Sequence, residues 1–348
     1  MRTAEQAPLA PLTTLRLGGP ARRLVEVATQ EEVIRAVAAA DAAGDPVLVL
    51  AGGSNVVIAD GGFDGTVIRI VTRGVDRERA PDGRVLMTAQ AGEPWDGLVA
   101  ECVADRLAGA ECLSGIPGST GATPIQNVGA YGQDVSETVR NVRVLDRRTG
   151  AVADLPPGAC GFAYRTSAFK HDDRRVVLEV TFALTPSSAG MPVRYAELAR
   201  CLGVAVGETA PIDDVRAAVL ALRSAKGLVV DPGDPDSVSA GSFFTNPVVA
   251  AADYEALARR AGERPPVWPE PDGRVKTSAA WLIERAGFSK GYGDGPAGIS
   301  AKHTLALVNR GGARTSDLVA LAREVAAAVE AAFGVRLTPE PVFVGHSW

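Results

Sequence analysis

The sequence predicts a mixed α and β protein, of class α+β, with more than one domain. The chain has 348 residues, which at ordinary domain sizes suggests two or three domains. Hydrophobic residues make up 46% and charged residues 22%, the balance of a globular protein with a sizeable core. Helix and strand patterns alternate in the first third, and the character of the sequence shifts after Pro186.

Elements of the first third follow from periodicity and from end signals. A capping box formed by Thr29 and Glu32 starts a helix that ends at Gly44. Apolar strands are predicted at 46–53, 66–71 and 84–92, and the first runs into paired glycines. A second helix is expected from about Glu93 to Leu107.

The middle of the chain predicts a long loop, a hairpin and a helix. Residues 114–134 are rich in glycine and lack periodicity, so we expect a loop there. A hairpin is predicted at 139–152, turning at Thr149-Gly150, and a further strand at 175–184. An amphipathic helix at 212–227 starts at Asp213 or Asp214, and the Pro- and Asp-rich stretch after it indicates a domain boundary.

The last third predicts three helices and two strands. The helices are expected at 253–262, 278–287 and 316–334. A strand at 303–309 separates the last two helices, and another at 341–345 ends the chain.

Charge and cysteine usage narrow the class of protein. Lys+Arg 36 against Asp+Glu 41 gives a net charge of −5, which argues against a nucleic-acid binder. The four cysteines show no C-x-x-C pair and no histidine at ligand spacing, so no metal site is expected. Scattered cysteines, the absence of a signal-peptide pattern and the absence of a long apolar run favour a cytoplasmic protein with no membrane span.

Two glycine loops are candidates for holding a phosphorylated cofactor. They are "AGGSNVV" at 51–57 and the stretch at 114–134. Glycine lets a phosphate approach the backbone, whose N–H groups can bind a pyrophosphate. Ordinary turns are the alternative, although a loop as long as the second is usually functional. A P-loop, a G-x-G-x-x-G fingerprint and a Tyr-x-x-x-Lys pair are all absent, so the prediction is dinucleotide binding without a Rossmann fold.

Five ordered motifs resemble one known family over essentially the whole chain. They are "AGGSNVV", "GIPGSTGATPIQNVGAYG", "FAYRTSAF", "AGSFFTNP" and "TPEPVFVG". Their order and separations resemble the UDP-N-acetylenolpyruvoylglucosamine reductases, the MurB family, and "VRYAEL" together with "PIQNVGAYG" resembles its type I branch.

The resemblance implies a fold and a reaction. The fold would be a PCMH-type (vanillyl-alcohol-oxidase-like) two-part FAD-binding fold plus a C-terminal α/β substrate-binding domain. The implied bounds are 1–72 with 335–348 for the first FAD-binding part, 73–225 for the second (PCMH-type region about 17–186), and 226–334 for the UDP-sugar domain. Hydride would pass from NADPH to noncovalent FAD and then to an enolpyruvyl sugar, giving UDP-N-acetylmuramate. A UDP-sugar is the implied partner, and a monomer is the working expectation.

The same resemblance assigns residues to roles, position by position. Catalysis would use Ser242, Arg165 and Glu340. Substrate would contact Tyr195, Lys226 and Asn246. FAD would contact Gly52, Gly53, Ser54, Asn55, Val56, Gly115, Ile116, Pro117, Gly118, Ser119, Gly121, Ala122, Gln126, Asn127, Gly129, Ala130 and Tyr131.

These residue types suit the implied chemistry. Hydride addition to an enolpyruvyl ether gives an enolate, which needs a charge stabiliser and a proton donor. A serine nucleophile needs a histidine, and none lies near Ser242 in the sequence. The proton-donor role that the resemblance implies for Ser242 does not require one. We expect His303 and His346 to be structural or surface residues. Thr245 stands where many relatives have a basic residue, so no cation is expected there.

Three alternatives remain beside the reductase. Gly287-Phe288-Ser289-Lys290-Gly291 fits G-x-S-x-G with Asp317 and His346 following, as in an α/β-hydrolase, but a helix pattern precedes it where a strand is required. A flavin oxidase or dehydrogenase of the same superfamily would not need Ser242, and a noncatalytic nucleotide-binding module would not need the three catalytic candidates together.

Overall fold

A computed structural model describes residues 1–348, and the chain divides into two units. The first unit contains Met1–Ala7, Pro20–Gly53 and Phe63–Ala225. The second contains Pro8–Gly19, Ser54–Gly62 and Lys226–Trp348. Each unit is therefore built from stretches that are far apart in the sequence. The three-part domain division that the resemblance implies stays a prediction.

Six of the seven α-helices lie where the sequence predicted a helix. The helices are α1 (Gln30–Ala42), α2 (Trp95–Ala104), α3 (Ala196–Leu202), α4 (Ile212–Ala225), α5 (Ala251–Ala261), α6 (Ala279–Arg285) and α7 (Thr315–Phe333). The short helix α3 was not predicted. Helix α2 begins later than expected because Pro94, with extended backbone, is its N-cap. None of the seven combines the length and apolar character that a membrane span requires.

The strands are more numerous than the apolar runs suggested. In chain order they are β1 (Arg2–Pro8), β2 (Pro20–Val27), β3 (Val47–Leu50), β4 (Val56–Ile58), β5 (Phe63–Ile70), β6 (Val75–Arg79), β7 (Val85–Gln90), β8 (Leu107–Ala108), β9 (Gly129–Ala130), β10 (Gln133–Asp134), β11 (Val139–Asp146), β12 (Val152–Leu155), β13 (Arg175–Pro186), β14 (Ser239–Ser242), β15 (Val248–Val249), β16 (Val267–Pro269), β17 (Val275–Thr277), β18 (Ala297–Ile299), β19 (Ala306–Asn309) and β20 (Val342–Val344). The predicted hairpin is confirmed as β11 and β12.

The first unit contains two main sheets. One has the order β1-β2-β5-β3, in which β5 runs parallel to both β2 and β3. The other has the order β12-β11-β13-β7-β6, and its strands pair antiparallel. Trp95 of α2 is fully buried, and its ring centroid lies 5.5 Å from that of Phe182 on β13. This packing fixes α2, and with it the glycine-rich loop, against the second sheet.

The second unit contains three small sheets and the long helix α7. Their orders are β14-β19-β18, β15-β17-β16 and β20-β4, and β20 runs parallel to β4. Along α7, Leu318, Ala322, Val325 and Val329 are buried at helical spacing, so one face of the helix forms the core. Phe243 and Phe244, which follow β14, belong to the same core. The segment carrying Ser242 is therefore anchored from inside the unit.

Candidate active site

The two glycine loops approach each other closely in the first unit. Gly52 follows β3, and a Cβ built on it would lie 2.5 Å from Gly118 Cα, backbone against backbone. Trp95 N donates to Gly118 O at 3.1 Å, and Gly121 N donates to Ala91 O at 2.9 Å, so the second loop is tied to α2 and to the end of β7. Side chains are excluded where the loops meet, which fits a pyrophosphate bound by bare backbone.

Asp96 of α2 braces the start of the second loop. Its Oδ1 accepts a hydrogen bond from Gly115 N at 2.6 Å, and Arg216 of α4 makes a bidentate pair with the carboxylate at 2.7 and 3.0 Å. Burial alone would raise the pKa of the Asp96 carboxyl, but these hydrogen bonds and the charge of Arg216 outweigh it and hold the pKa below its usual value. The loop is therefore fixed by an ionised carboxylate.

The remaining predicted cofactor contacts of the first unit lie on this same loop. They are Ile116, Pro117, Ser119, Ala122, Gln126 and Ala130. Asn127 is buried, with Nδ2 donating to Ala163 O at 3.1 Å and Oδ1 accepting from Ser136 N at 3.1 Å. The far end of the loop is thus tied to the segment that carries Arg165.

Arg165 lies against the end of the glycine loop. Its Nη2 donates to Gly129 O at 2.5 Å and its Nη1 lies 3.6 Å from Asp134 Oδ1. A Cβ at Gly129 would overlap the Asp134 carboxylate and lie 2.8 Å from Arg165 Nη1, so any larger residue there would displace both side chains. Asp134 and the loop carbonyl together orient a guanidinium that is about one-fifth exposed.

Backbone strain marks this region. Seven residues other than glycine have positive φ, and three of them, Asn127, Tyr131 and Arg165, are predicted site residues. Such conformations cost about 1–3 kcal/mol each and cluster at functional sites.

Two tyrosines meet edge to face beside the loop. The ring centroids of Tyr131 and Tyr195 are 5.5 Å apart with an interplanar angle of 90°. Burial raises the pKa of the Tyr131 hydroxyl to about 12, so the group stays protonated. Tyr195 is 44% exposed at the start of α3, and the neighbouring Arg194 pairs with Glu137 at 2.8 Å. Tyr195 therefore presents a ring that a ligand can reach.

Sequence reasoning missed Arg223, which lies on the buried face of α4. It follows Val215 and Val219 at a spacing of four, and it is only 9% exposed. Burial lowers the pKa of its guanidinium, while Tyr131 and Asp96 oppose that shift. Arginine nonetheless stays charged in proteins. A charged residue at an apolar position of an amphipathic helix is the signal that should have singled it out.

Ser242 has a histidine partner, contrary to the expectation from the sequence. Its Oγ lies 3.3 Å from His303 Nε2. The pairing arises because Ser242 is opposite Ala306 on β19, and the turn before β19 carries His303. The predicted strand at 303–309 was too long at its start, since the Ser300 hydroxyl accepts hydrogen bonds from Lys302 N and His303 N and forms a turn.

Glu340 runs alongside the Ser242 segment in the second unit. Glu340 N donates to Phe243 O at 2.8 Å, and Phe244 forms an antiparallel bridge with Pro339. Asn55, from the first glycine loop between Ser54 and Val56, donates from Nδ2 to Glu340 O at 3.4 Å. Two predicted catalytic residues and one predicted cofactor contact are thus adjacent in this unit.

The other second-unit candidates are placed by local contacts. Asn246 Oδ1 accepts a hydrogen bond from Ala279 N at 3.0 Å at the start of α6. Thr245 N donates to Thr338 O at 3.0 Å, which ties the turn after Ser242 to the chain before Glu340. Lys226 is half-buried directly after α4.

The hydrolase alternative is wrong. Helix α6, rather than a strand, precedes Gly287, so no nucleophile elbow forms at Ser289. The Asp317 carboxylate accepts from Arg314 N at 2.8 Å at the start of α7, and His346 Nε2 lies 3.0 Å from Val57 O. Both residues have structural roles, and no group of three or more His, Cys, Asp or Glu side chains comes together to hold a metal ion.

Known proteins match both units. Residues 21–155 match the family model described as FAD binding domain. Residues 234–344 match the model described as UDP-N-acetylenolpyruvoylglucosamine reductase, C-terminal domain. These matches and the mixed helix and strand content confirm the predicted fold class, an FAD-binding fold followed by the C-terminal domain of the reductases.

Full-length relatives carry the same description. The chain is 57% identical to UDP-N-acetylenolpyruvoylglucosamine reductase of Thermobifida fusca, covering 98% of each chain, and 57% identical to that of Salinispora arenicola, covering 97% of this chain and 94% of the relative. The crystal structure of UDP-N-acetylenolpyruvylglucosamine reductase (MurB) from Thermus caldophilus aligns with a TM-score of 0.67 and 26% identity over 99% of this chain and 98% of that one. The chain belongs to the UDP-N-acetylenolpyruvoylglucosamine reductase family.

Proposed function

We propose that this chain reduces the enolpyruvyl group of a UDP-sugar, converting UDP-N-acetyl-3-O-(1-carboxyvinyl)-glucosamine to UDP-N-acetylmuramate for peptidoglycan synthesis, with Ser242 as proton donor. The observation that carries the proposal is full-length identity to curated reductases, together with separate matches to an FAD-binding domain and to the reductase C-terminal domain. The residue roles are those that the resemblance implies, and the contacts within each unit support them.

FAD fits the residues that the first unit supplies. When bound, it carries hydride from NADPH to the substrate double bond. Gly52 meets Gly118 with no side chain between the two loops, and Asp96 holds Gly115 in place. Backbone N–H groups of such glycine loops suit a pyrophosphate. None of the predicted loop contacts is a histidine or cysteine, so the cofactor would be held without a covalent bond.

Hydride addition leaves negative charge on the substrate carboxylate and a basic α-carbon. Arg165 suits the charge, since its guanidinium is permanently protonated and is oriented by Gly129 O and Asp134. Glu340 would act with it as a protonated or partner-holding carboxyl. Loss of one such stabiliser costs about 10²–10³ in rate.

Ser242 would deliver the proton to the α-carbon. Its hydroxyl lies at the end of β14, and the buried Phe243 and Phe244 fix the backbone that presents it. Substrate binding would use Tyr195 and Lys226 for the diphosphate, with Asn246 shaping the turn after Ser242. A stiff backbone is what a proton donor needs, because transfer requires the two atoms to be held within hydrogen-bond reach.

We also infer a monomer working in the cytoplasm. Three of the four cysteines are buried and none is paired, which suits a reducing compartment. Light scattering coupled to size-exclusion chromatography gives the mass directly, and the mass of a dimer would overturn the inference of a monomer.

The decisive experiment separates the two halves of the reaction. Stopped-flow absorbance follows bleaching of the flavin by NADPH under anaerobic conditions, and then its reoxidation by the enolpyruvyl sugar. Ser242→Ala should leave the rate of flavin bleaching within about twofold of wild type. It should slow flavin reoxidation by ~10²–10⁴, the usual contribution of a general acid. Ser289→Ala is the matched control, because that serine lies outside the proposed site.

Two outcomes would overturn the proposal. Equal slowing of both halves by Ser242→Ala would remove the serine from the acid role. A purified protein that neither contains nor binds FAD would remove the reaction altogether.

A further inference from the structure

His303 lies in a turn that is held from several sides. The turn joins β18 to β19, and Ser300 closes it by accepting from the backbone N–H groups of Lys302 and His303. Ala306 N donates to His303 O at 3.0 Å, and Ala301 N donates to Asp236 Oδ1 at 2.9 Å. A ring on such a turn has a defined position, unlike a histidine on an open loop.

The sheet register brings this turn to Ser242. Strand β14 pairs with β19, with Ser242 opposite Ala306, and Phe243 N donates to Leu305 O at 2.7 Å. The pairing places the Ser242 hydroxyl at the edge of the turn, where His303 Nε2 lies 3.3 Å from Oγ. The contact joins residues 61 positions apart, and the pairing of β14 with β19 brings their backbones together.

The contact between His303 and Ser242 suits a serine that acts as a general acid. When the hydroxyl proton moves to the substrate carbon, Oγ is left with negative charge that has to be stabilised. A ring N–H donating to Oγ stabilises that charge and also turns the hydroxyl proton away from the ring, towards the substrate. Hydrogen bonds to charged groups are stronger than those to neutral ones, so the contact strengthens as the proton leaves.

We propose that His303 is the positioning residue for the proton donor: its Nε2–H donates to Ser242 Oγ, aims the hydroxyl proton and stabilises the oxygen as that proton departs. This inference rests on the proposed role of Ser242. His303 itself need not touch the substrate, and the residue is half-buried.

A double-mutant cycle tests the coupling. The variants are His303→Ala, Ser242→Ala and the pair, each assayed for flavin bleaching by NADPH and for reoxidation by the enolpyruvyl sugar. Loss of a hydrogen bond to a charged oxygen corresponds to about 10- to 100-fold, so His303→Ala should slow reoxidation by that factor and leave bleaching unchanged. The pair should be no slower than Ser242→Ala alone, because the histidine acts only through the serine.

Conservative replacement separates positioning from structural support. The glutamine of His303→Gln would place an amide N–H near Oγ, so this variant should recover reoxidation to within about threefold to fivefold of wild type, the residual being a modest misalignment. Flavin content and melting temperature report folding for every variant, and a rate measured on the bound flavin excludes misfolded protein.

Each outcome decides the inference. Additive losses in the pair, or slowing of both halves by His303→Ala, would overturn it while leaving the Ser242 role intact. A wild-type rate of flavin reoxidation in the Ser242→Ala single variant would instead overturn the proposed function. Recovery by His303→Gln with a nonadditive pair would establish the positioning role.

Discussion

Replacing Gly52 with alanine should weaken FAD binding by pushing the two glycine loops apart. The new Cβ would lie 2.5 Å from Gly118 Cα and 2.8 Å from Gly118 C. Carbon atoms in contact prefer about 3.5–4.0 Å, so the loops must separate by roughly 1 Å. Both crowded atoms belong to the backbone, and no rotamer change can relieve them. Overpacking of this kind costs about 1–3 kcal/mol.

If that strain falls on the cofactor-bound state, the dissociation constant for FAD rises about 5- to 150-fold. Titration of the apoprotein with FAD, followed by quenching of flavin fluorescence, measures it. Gly158→Ala is the matched control, because nothing lies within 4 Å of a Cβ at that glycine of the first unit. An FAD affinity equal to that of the control, with an unchanged melting temperature, would refute the reasoning.

Three further predictions concern stability and reactivity. Asp96→Asn should lower the free energy of unfolding at pH 6, and this difference from wild type should shrink below about pH 4. The reason is that folding lowers the pKa of Asp96, so the stabilisation by its carboxylate is lost when the group is protonated. Urea unfolding at the two pH values measures the difference. Trp348→Ala should lower stability by roughly 1–2 kcal/mol through lost ring contacts, and Trp268→Ala, similarly exposed, by less, as thermal melts would show. A thiol reagent at pH 8 should label only Cys201 in the native protein and all four cysteines after unfolding. The other three cysteines are buried, and burial raises their thiol pKa to about 12 for Cys102 and Cys112 and to about 11 for Cys160.

Local patterns predicted the elements whose signals are local. The helix at α7 shows a long apolar stripe, and α1 starts where the Thr29 side chain accepts from Glu32 N at 3.2 Å. This is one half of the predicted capping box, since the Glu32 carboxylate accepts from Ala28 N rather than from Thr29 N. Strands β1 and β6 escaped prediction because most of their residues are exposed and several are charged, leaving no apolar alternation to detect.

Some features of the candidate site can likewise be predicted from local sequence, and others cannot. Glycine loops and the Ser242 motif are visible in sequence because their chemistry requires particular residue types at short spacing. The His303 contact is not visible, since it depends on the register of β14 against β19 and on a turn that shortens a predicted strand. Arg223 was missed because a buried arginine contradicts the helix pattern that identifies its neighbours.

The layout of the two units has a consequence for how the protein is made. All residues of the first unit have been synthesised once Ala225 is added, so that unit can fold while translation continues. The second unit has to wait, because β4 pairs only with β20, and Asn55 meets Glu340 across 285 residues. Ribosomes that stall late should therefore hold a nascent chain whose Ser54–Gly62 stretch is still unpaired and open to chaperones or proteases. An mRNA truncated near its 3′ end should yield a protein whose first unit is folded but which is still inactive.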